Sequence, residues 1–483
     1  MPKRREPLKE TMLSEAYVER PMVQALDPKR APEAGDVNAL DDVPRSSWLS
    51  PDDAAEVADA AEPPAPPFRL LPAPAVTREG ALAVVDGRGR RFEIWRDPLD
   101  RPEMATGAAA FASNLLRALG YATPGVWATD VARPDFDLHG AADNDALLKL
   151  FHDGPRAVGG RFRVALTRWP IGIDLGPTPP TGGRSDDPND RVPHEDRRTL
   201  RALKLIFGWL GMTDAGIHVL RDAYVGQPGK GHVVHYLAGL GGALGADAVV
   251  RALEPRDDDS DLADRNVWIT LATLGLYHQK PRLTPETWPS VGEYRETWAP
   301  EAFQTSPPLV PIDRALPSDV YWAAKRIATI RPATIVRALD AGNYHDDSAH
   351  ALLGELVRER QSLAVRWGLA QVTPCEVDRL EQAHAGARSV LVIRDEALTL
   401  GLVAAATTTY RVALIDDAGK PVAPPFEVRM TEGTLFPIQL PQALPPYAVV
   451  RVLAVRKGSP APRAMEAHLV HKDGVVRVVG VVH

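Results

Sequence analysis

The chain has 483 residues, 45% of them hydrophobic, which is enough to bury a large core and more than a single domain needs. Its 56 basic and 63 acidic residues leave a formal net charge of −7, which argues against a nucleic-acid surface or a polybasic membrane patch and points to small-molecule or protein partners. A single cysteine, Cys375, excludes an internal disulfide framework and any thiolate zinc cluster.

The N-terminal "MPKRREPLKETMLSEAYVERP" lacks the apolar run of a signal peptide, and no apolar run approaches the length of a membrane span. A soluble chain without an integral membrane segment is expected, cytoplasmic by default. Residues 1–67 are polar and rich in Pro and Ala, ending in "AEPPAPP", and read as an extended arm or linker. In "GALAVVDGRGRRFEIWRDPLD" two strand-like runs flank Asp86-Gly87 and predict a β-hairpin. "PEMATGAAAFASNLLRALGYATPGV" follows with helical spacing and a glycine stop at Gly120. Residues 151–196 are dense in Gly, Pro and Asp and read as a loop-rich insertion.

From 197 to 384 the texture is helical, in "RRTLRALKLIFGWLGM", "RNVWITLATLGLY", "SDVYWAAKRIATI", "PATIVRALDAG" and "HALLGELVRERQSLAVRWGLAQ". Cys375, in "VTPCEVDRL", is expected at a helix start as a small packing residue rather than a nucleophile. One stretch breaks the helices: "HVVHYLAGLGGALG", residues 232–245, a strand-like run entering a loop with four glycines. Residues 385–483 alternate as strands do, with turns at Asp417-Ala418-Gly419 and Asp473-Gly474, and read as a separate β-sandwich.

The phrases "DVNALDDVPRSSWLS", "DPLDRPEMATGAAAFASNLLRALGY", "SDDPNDRVPHEDRRTLRALKLIFGWLGMTDAGIHVLRDAYV" and "HYLAGLGGALG" resemble an uncharacterised bacterial family with a protein-kinase-like core, akin to HipA-like and CotH-like atypical kinases. The resemblance implies an α+β, bilobal fold: a small lobe of hairpin and helix over residues 68–150, a mainly helical lobe over 197–384, then the sandwich. Such a kinase holds nucleotide and metal with a strand lysine, a helix glutamate, a catalytic Asp with its Asn, and a metal-binding Asp.

By the resemblance, each of these positions is identifiable, and four of them carry the wrong chemistry. The lysine position in "FEIWRDP" is Trp95; the adjacent Arg96 belongs to the opposite face of a strand. The glutamate position in "TGAAAF" is Ala109, while Glu103 is expected to favour a helix N-terminus. In "TDAGIHVL" the catalytic Asp survives as Asp214, but the Asn position is Val219, with Asp222 expected to cap or pair locally. The metal-binding Asp gives way to Gly239 in the run Gly239, Leu240, Gly241, and glycine offers magnesium no side-chain oxygen.

Other chemistries are weaker. The glycines Gly239, Gly241 and Gly245 follow a strand, but no second βα unit follows to make a dinucleotide site. His232 and His235 sit three apart in a strand and face opposite ways, and His194 opens "HEDRR", where a zinc helix would need a histidine at Arg198; a charged, solvated face is expected there, and no metal site. His218, beside Asp214, is the one histidine singled out for a functional role. The acidic run with Asp257, Asp259 and Asp261 lacks the glycine of a calcium loop and has Trp268 where the last glutamate belongs.

The expectation is therefore a catalytically inactive, kinase-like binding or scaffold protein with no cofactor, whose partner is a protein or a small molecule. Trp95 is expected to fill or cap the former nucleotide cleft. The alternatives are an active phosphotransferase using ATP and Mg2+ through Asp214, with Lys149, Lys204 or Asp222 as relocated partners, and an envelope or extracellular adhesion protein acting through the sandwich.

Overall fold

The computed structural model describes residues 2–3, 31–44, 46–49, 62–71, 80–247 except 153, 157 and 171, and 288–483 except 297, 307, 383–387 and 457–462. The acidic run, the helical phrase "RNVWITLATLGLY" and most of the N-terminal arm lie outside these residues. The fold is mixed α+β, with 31% helix and 30% strand in several sheets. Among the described residues no helix is long and apolar enough to cross a membrane.

The first sheet contains β1 (Phe68–Leu70), β2 (Leu82–Val85), β3 (Arg91–Trp95), β4 (Val126–Val131), β5 (Phe136–Asp137) and β6 (Phe162–Arg168), in the order β4-β6-β3-β2-β1-β5. β2 and β3 form the predicted hairpin, with Val85 opposite Arg91. Its loop is longer than the two-residue turn expected, because the Asp86 carboxylate accepts from the amides of Arg88 and Arg90 and from the Arg90 guanidinium.

Strand alternation gives this sheet two different faces. Phe92 and Ile94 join Val164 and Leu166 of β6 in a core covered by Leu147, Leu150 and Phe151 of the helix Ala141–His152, here α2. Glu93 and Trp95 turn the other way, toward α1 (Met104–Ala118). α1 is buried on nearly all sides, which its small residues permit: a Cβ on Gly107 would stand 2.6 Å from the Tyr344 ring. It stops as predicted, with Gly120 at φ 91° and the Tyr121 amide bonded back to the Leu116 carbonyl.

β6 overturns the reading of residues 151–196 as a loop-rich insertion, since it is an interior strand between β4 and β3. Its apolar run is short and flanked by Gly and Pro, so local pattern missed a strand whose partners are remote in sequence. The second sheet, β7 (Ile173–Pro177), β8 (Leu220–Val225) and β9 (His232–Leu237), follows in the order β7-β8-β9.

The helical body contains α3 (Leu203–Leu210), α4 (Pro317–Ala328), α5 (Pro332–Ala341) and α6 (Asp347–Leu369), packed with α1 around Phe207, Trp209, Tyr321, Ile335 and Leu353. The arm is more than a linker where it is described. Trp48 is fully buried in this core, and Asp36 accepts hydrogen bonds from the Arg198 amide and from the backbone and hydroxyl of Thr199. Single aromatic and acidic anchors in a polar segment leave no periodicity to read.

The remaining strands build two sheets. One holds β10 (Cys375–Glu381), β11 (Val390–Asp395) and β14 (Leu435–Gln439); the other has the order β13-β12-β15-β16-β17, with β12 Thr408–Asp416, β13 Pro421–Arg429, β15 Tyr447–Arg456, β16 Met465–Lys472 and β17 Val475–Val482. Both contribute to one core, Leu391, Ile393 and Phe436 from the first meeting Tyr410, Val450 and Leu469 from the second. The Asp473-Gly474 turn has φ 53° and 75°, as a tight hairpin requires.

Cys375 opens a strand, not a helix, so the β-rich region begins about ten residues before the boundary expected at 384. The proline before Cys375 disfavours a continuing helix and starts the extended run. Cys375 is a packing residue, as expected: it is fully buried, and burial pushes its thiol well above the usual range.

Candidate functional site

A cavity of about 480 Å³ opens between the inner face of the first sheet, α1, the second sheet and the glycine-rich loop after β9. That size suits a small ligand. Trp95, Ala109, Gly239 and Gly241 all line it, so four positions read separately along the chain converge on one wall-to-wall space.

Trp95 is placed by β3 and held by a hydrogen bond from its Nε1 to Thr167 Oγ1 at 3.0 Å. The indole therefore forms a wall and leaves the space open, where the sequence predicted a filled or capped cleft. Arg96 is not among the lining residues, as strand alternation requires. Ala109 presents only a methyl group from α1. Glu103 is turned elsewhere: its carboxylate accepts from the His345 amide at 3.0 Å and pairs with the His345 ring.

The helix N-terminus is capped instead by Asp97, from the "D-P" pair. It accepts from the amides of Glu103, Ala105 and Thr106 at 2.9, 2.7 and 2.9 Å, and from the Thr106 hydroxyl. Sequence reasoning missed it, although an Asp ahead of a helix is the usual capping signal.

Gly239 has φ 63°, and a Cβ built there would lie 3.2 Å from the His218 ring. The glycine is thus matched to a left-handed turn packed against His218. Beyond it, Leu240–Gly245 packs against α1 as two tight turns with a kink between them, where Ala243 is extended and Leu244 is left-handed at φ 54°. His218 itself bonds through Nε2 to the Asp214 carbonyl at 3.1 Å.

Asp214 does not line the cavity. Its amide is held by the Asp247 carboxylate, which also accepts from Thr213 Oγ1 at 2.8 Å. Val219 is fully buried in the main core. Asp222 is also buried, and it is remote in role from Asp214: it pairs with Arg184 at 2.7 Å and with His235 at 2.6 Å, and accepts from Thr178. Burial opposes its ionisation, but the His235 hydrogen bond, with those from Thr178 and Arg184, outweighs it and holds the carboxyl below the usual carboxylate range.

No protein-family model matches the chain, and no curated protein matches it.

The charged residues of the cavity were not anticipated. Arg91, Arg168 and Arg221 line it together with Glu93 and Asp174. Arg221 forks onto Asp174 through two hydrogen bonds of 2.9 and 2.7 Å, which fixes one guanidinium at the rim. Arg91 lies over the Trp169 ring, with its guanidinium 6.0 Å from the ring centroid. Arg168 is the cross-strand partner of Phe92, and its guanidinium lies over the Phe92 ring, on the face away from Trp95. The cations facing the space are therefore Arg91 and Arg221, the latter held by Asp174. With the indoles of Trp95 and Trp169 they can stack and charge-pair a flat, anionic molecule. The wall offers a magnesium-bound triphosphate neither the strand lysine nor a carboxylate at Gly239.

His194 and Arg198 do not form the solvated face that was expected. His194, Arg197, Arg198 and Arg201 are all buried, tied to Asp190, Asp41, Asp319 and Asp196. The folded arm and the loop before α3 cover them, which local charge pattern could not foresee.

Proposed function

We propose that the chain is a kinase-like protein that has lost phosphoryl transfer and serves as a binding or scaffold protein, its cleft taking a small anionic ligand in place of magnesium-ATP. The observation that carries this reading is the joint lining of one cavity by Trp95, Ala109, Gly239 and Gly241. On a kinase-like bilobal arrangement, the first sheet with α1 forms the small lobe and the helical body the large one. The two C-terminal sheets sharing one core are then a β-sandwich docked on the helical lobe.

The chemistry follows from what the wall supplies. Phosphoryl transfer depends on positioning a triphosphate and neutralising its charge with lysine and metal. An indole, a methyl group and a bare glycine do neither, whereas Arg91 and Arg221 still attract an anion. Asp214 lies off the cavity, so the alternative of a transferase that uses Asp214 does not have that base beside a ligand in the cleft.

The test is titration with ATP, with and without Mg2+, followed by tryptophan fluorescence and thermal shift. Binding that is unaffected by Mg2+, or no binding of ATP at all, is expected. Stabilisation that requires Mg2+, or radiolabelled phosphoryl or nucleotidyl transfer abolished by Asp214→Ala, overturns the proposal.

A further inference from the structure

We propose that Asp190, His194 and His235 form a buried zinc-class metal site that ties the loop before α3 to strand β9, apart from the cleft. One ligand atom from each residue lies within 4.8 Å of the other two. The three side chains are no more than 1% exposed. Two imidazoles and a carboxylate are a donor set suited to zinc and its first-row neighbours.

The orientation of the rings argues for a cation between them. His194 Nδ1 faces the carbonyl oxygen of Pro179 at 2.5 Å. A carbonyl only accepts, so Nδ1 carries the hydrogen. In the neutral ring Nε2 then presents a lone pair, and it faces Asp190 Oδ2 at 3.0 Å. Two acceptors in that position need a positive centre between them, either a proton or a metal ion.

His235 is arranged in the same way. Its Nδ1 donates to Asp222 Oδ1 at 2.6 Å, and Asp222 is itself anchored by Arg184 at 2.7 Å and by Thr178. A carboxylate behind one imidazole and a backbone carbonyl behind the other are the supports that metal-bound histidines commonly have, since they fix the tautomer with Nε2 free to ligate.

The dimensions fit. Ligand nitrogens and oxygens about 2.0–2.1 Å from a tetrahedral zinc stand roughly 3.3 Å from one another. The His194 to Asp190 separation of 3.0 Å needs to open by only a few tenths of an ångström. Three protein ligands leave a tetrahedral ion one further position. Asp190 is also held from outside by the Arg184 amide at 2.7 Å and by Arg197 at 2.6 Å, which orient it without using every lone pair.

Trp48 closes the site. Its ring stacks on His235 at 4.7 Å with the planes 13° apart and meets His194 edge-on at 5.8 Å. Metal binding would thus also fasten the N-terminal arm, which carries Trp48, to the two histidines.

The experiment uses the full chain, expressed with zinc and purified without chelators. Metal analysis by mass spectrometry is expected to find one zinc per chain. Cobalt replacement is expected to give the intense visible absorption of a tetrahedral ion, weakened by the histidine variants. His194→Gln and His235→Gln should each lower the stoichiometry toward zero. In the unmodified chain, a strong chelator should lower Tm and added zinc restore it, a readout independent of whether either variant folds. A chain holding far less than one zinc, with a Tm indifferent to chelator and to zinc, overturns the site and leaves a His194 imidazolium paired with Asp190. One full zinc retained by a folded double variant overturns it too.

Discussion

The Trp95 indole donates its Nε1 hydrogen to Thr167 Oγ1 across neighbouring strands, at 3.0 Å. The side chain is thereby pinned to the sheet and faces the cavity, at the position that the proposed kinase-like reading gives to a lysine. Trp95→Lys is expected to leave magnesium-ATP unbound, because Ala109 and Gly239 still offer the ammonium and the metal no carboxylate. Thermal shift with ATP and Mg2+ checks this. Trp95→Ala should destabilise by about 3 kcal/mol, the low end for a large aromatic, because one side of the ring already borders open space. Denaturant unfolding measures it.

Gly239→Asp supplies the carboxylate that the proposed kinase-like reading finds missing, but not the conformation. At φ 63° and with the His218 ring 3.2 Å from the new Cβ, the substitution costs about 1–2 kcal/mol of left-handed strain and crowding. A Tm lowered by a few degrees and still no magnesium-dependent transfer are expected. A gain in phosphoryl transfer from this single change would mean that the rest of the machinery is intact.

Asp97 holds the N-terminus of α1 with hydrogen bonds from three amides and a hydroxyl, those from Ala105 and Thr106 fully buried. Asp97→Ala is expected to cost about 2–3 kcal/mol, a cap's worth plus buried donors left unpaired. Hydrogen exchange at the Ala105 and Thr106 amides should accelerate before that of the C-terminal sheets. If those amides stay protected, the cap is not what holds the helix.

Acid should release the C-terminal sheets. Asp41 bonds His483 at 2.7 Å, and Glu376 accepts from Tyr321 at 2.7 Å and from Lys325 at 2.5 Å, so both carboxylates join these sheets to the helical body or the arm. Burial raises both carboxyls, but His483 and Arg198 at Asp41, and Lys325 and His483 at Glu376, outweigh it and hold them below the usual range. A carboxyl depressed in the folded state contributes stability that is present above its ordinary pKa, about 4, and is lost as pH falls toward its folded value. Limited proteolysis across a pH series should therefore cut between α6 and β10 increasingly below about pH 4. Lys325→Ala should move that onset upward. Cleavage independent of pH would show that these contacts do not hold the junction.

Much of the molecule is legible from local pattern. The hairpin around Asp86, α1 with its stop at Gly120, the helices α3 to α6 and the alternating strands after Val390 all follow from periodicities and turn residues spanning a few positions each. These signals are local because a helix repeats every 3.6 residues and a strand every two. By resemblance, the chain also identified Trp95, Ala109 and Gly239 as positions of missing chemistry.

Only the tertiary structure decided what those positions share. Trp95 and Gly239 come to one cavity because β3 and the loop after β9 both border it, and no spacing encodes that meeting. Arg221 and Asp174 find each other only when β7 and β8 pair. Strand alternation already separates His235 from His232 in the sequence, but only the fold brings in His194, from a loop that reads as charged surface. Trp48 and β6 stayed hidden for the same reason: their burial comes from partners far along the chain, and a window of ten residues holds no record of what will cover it.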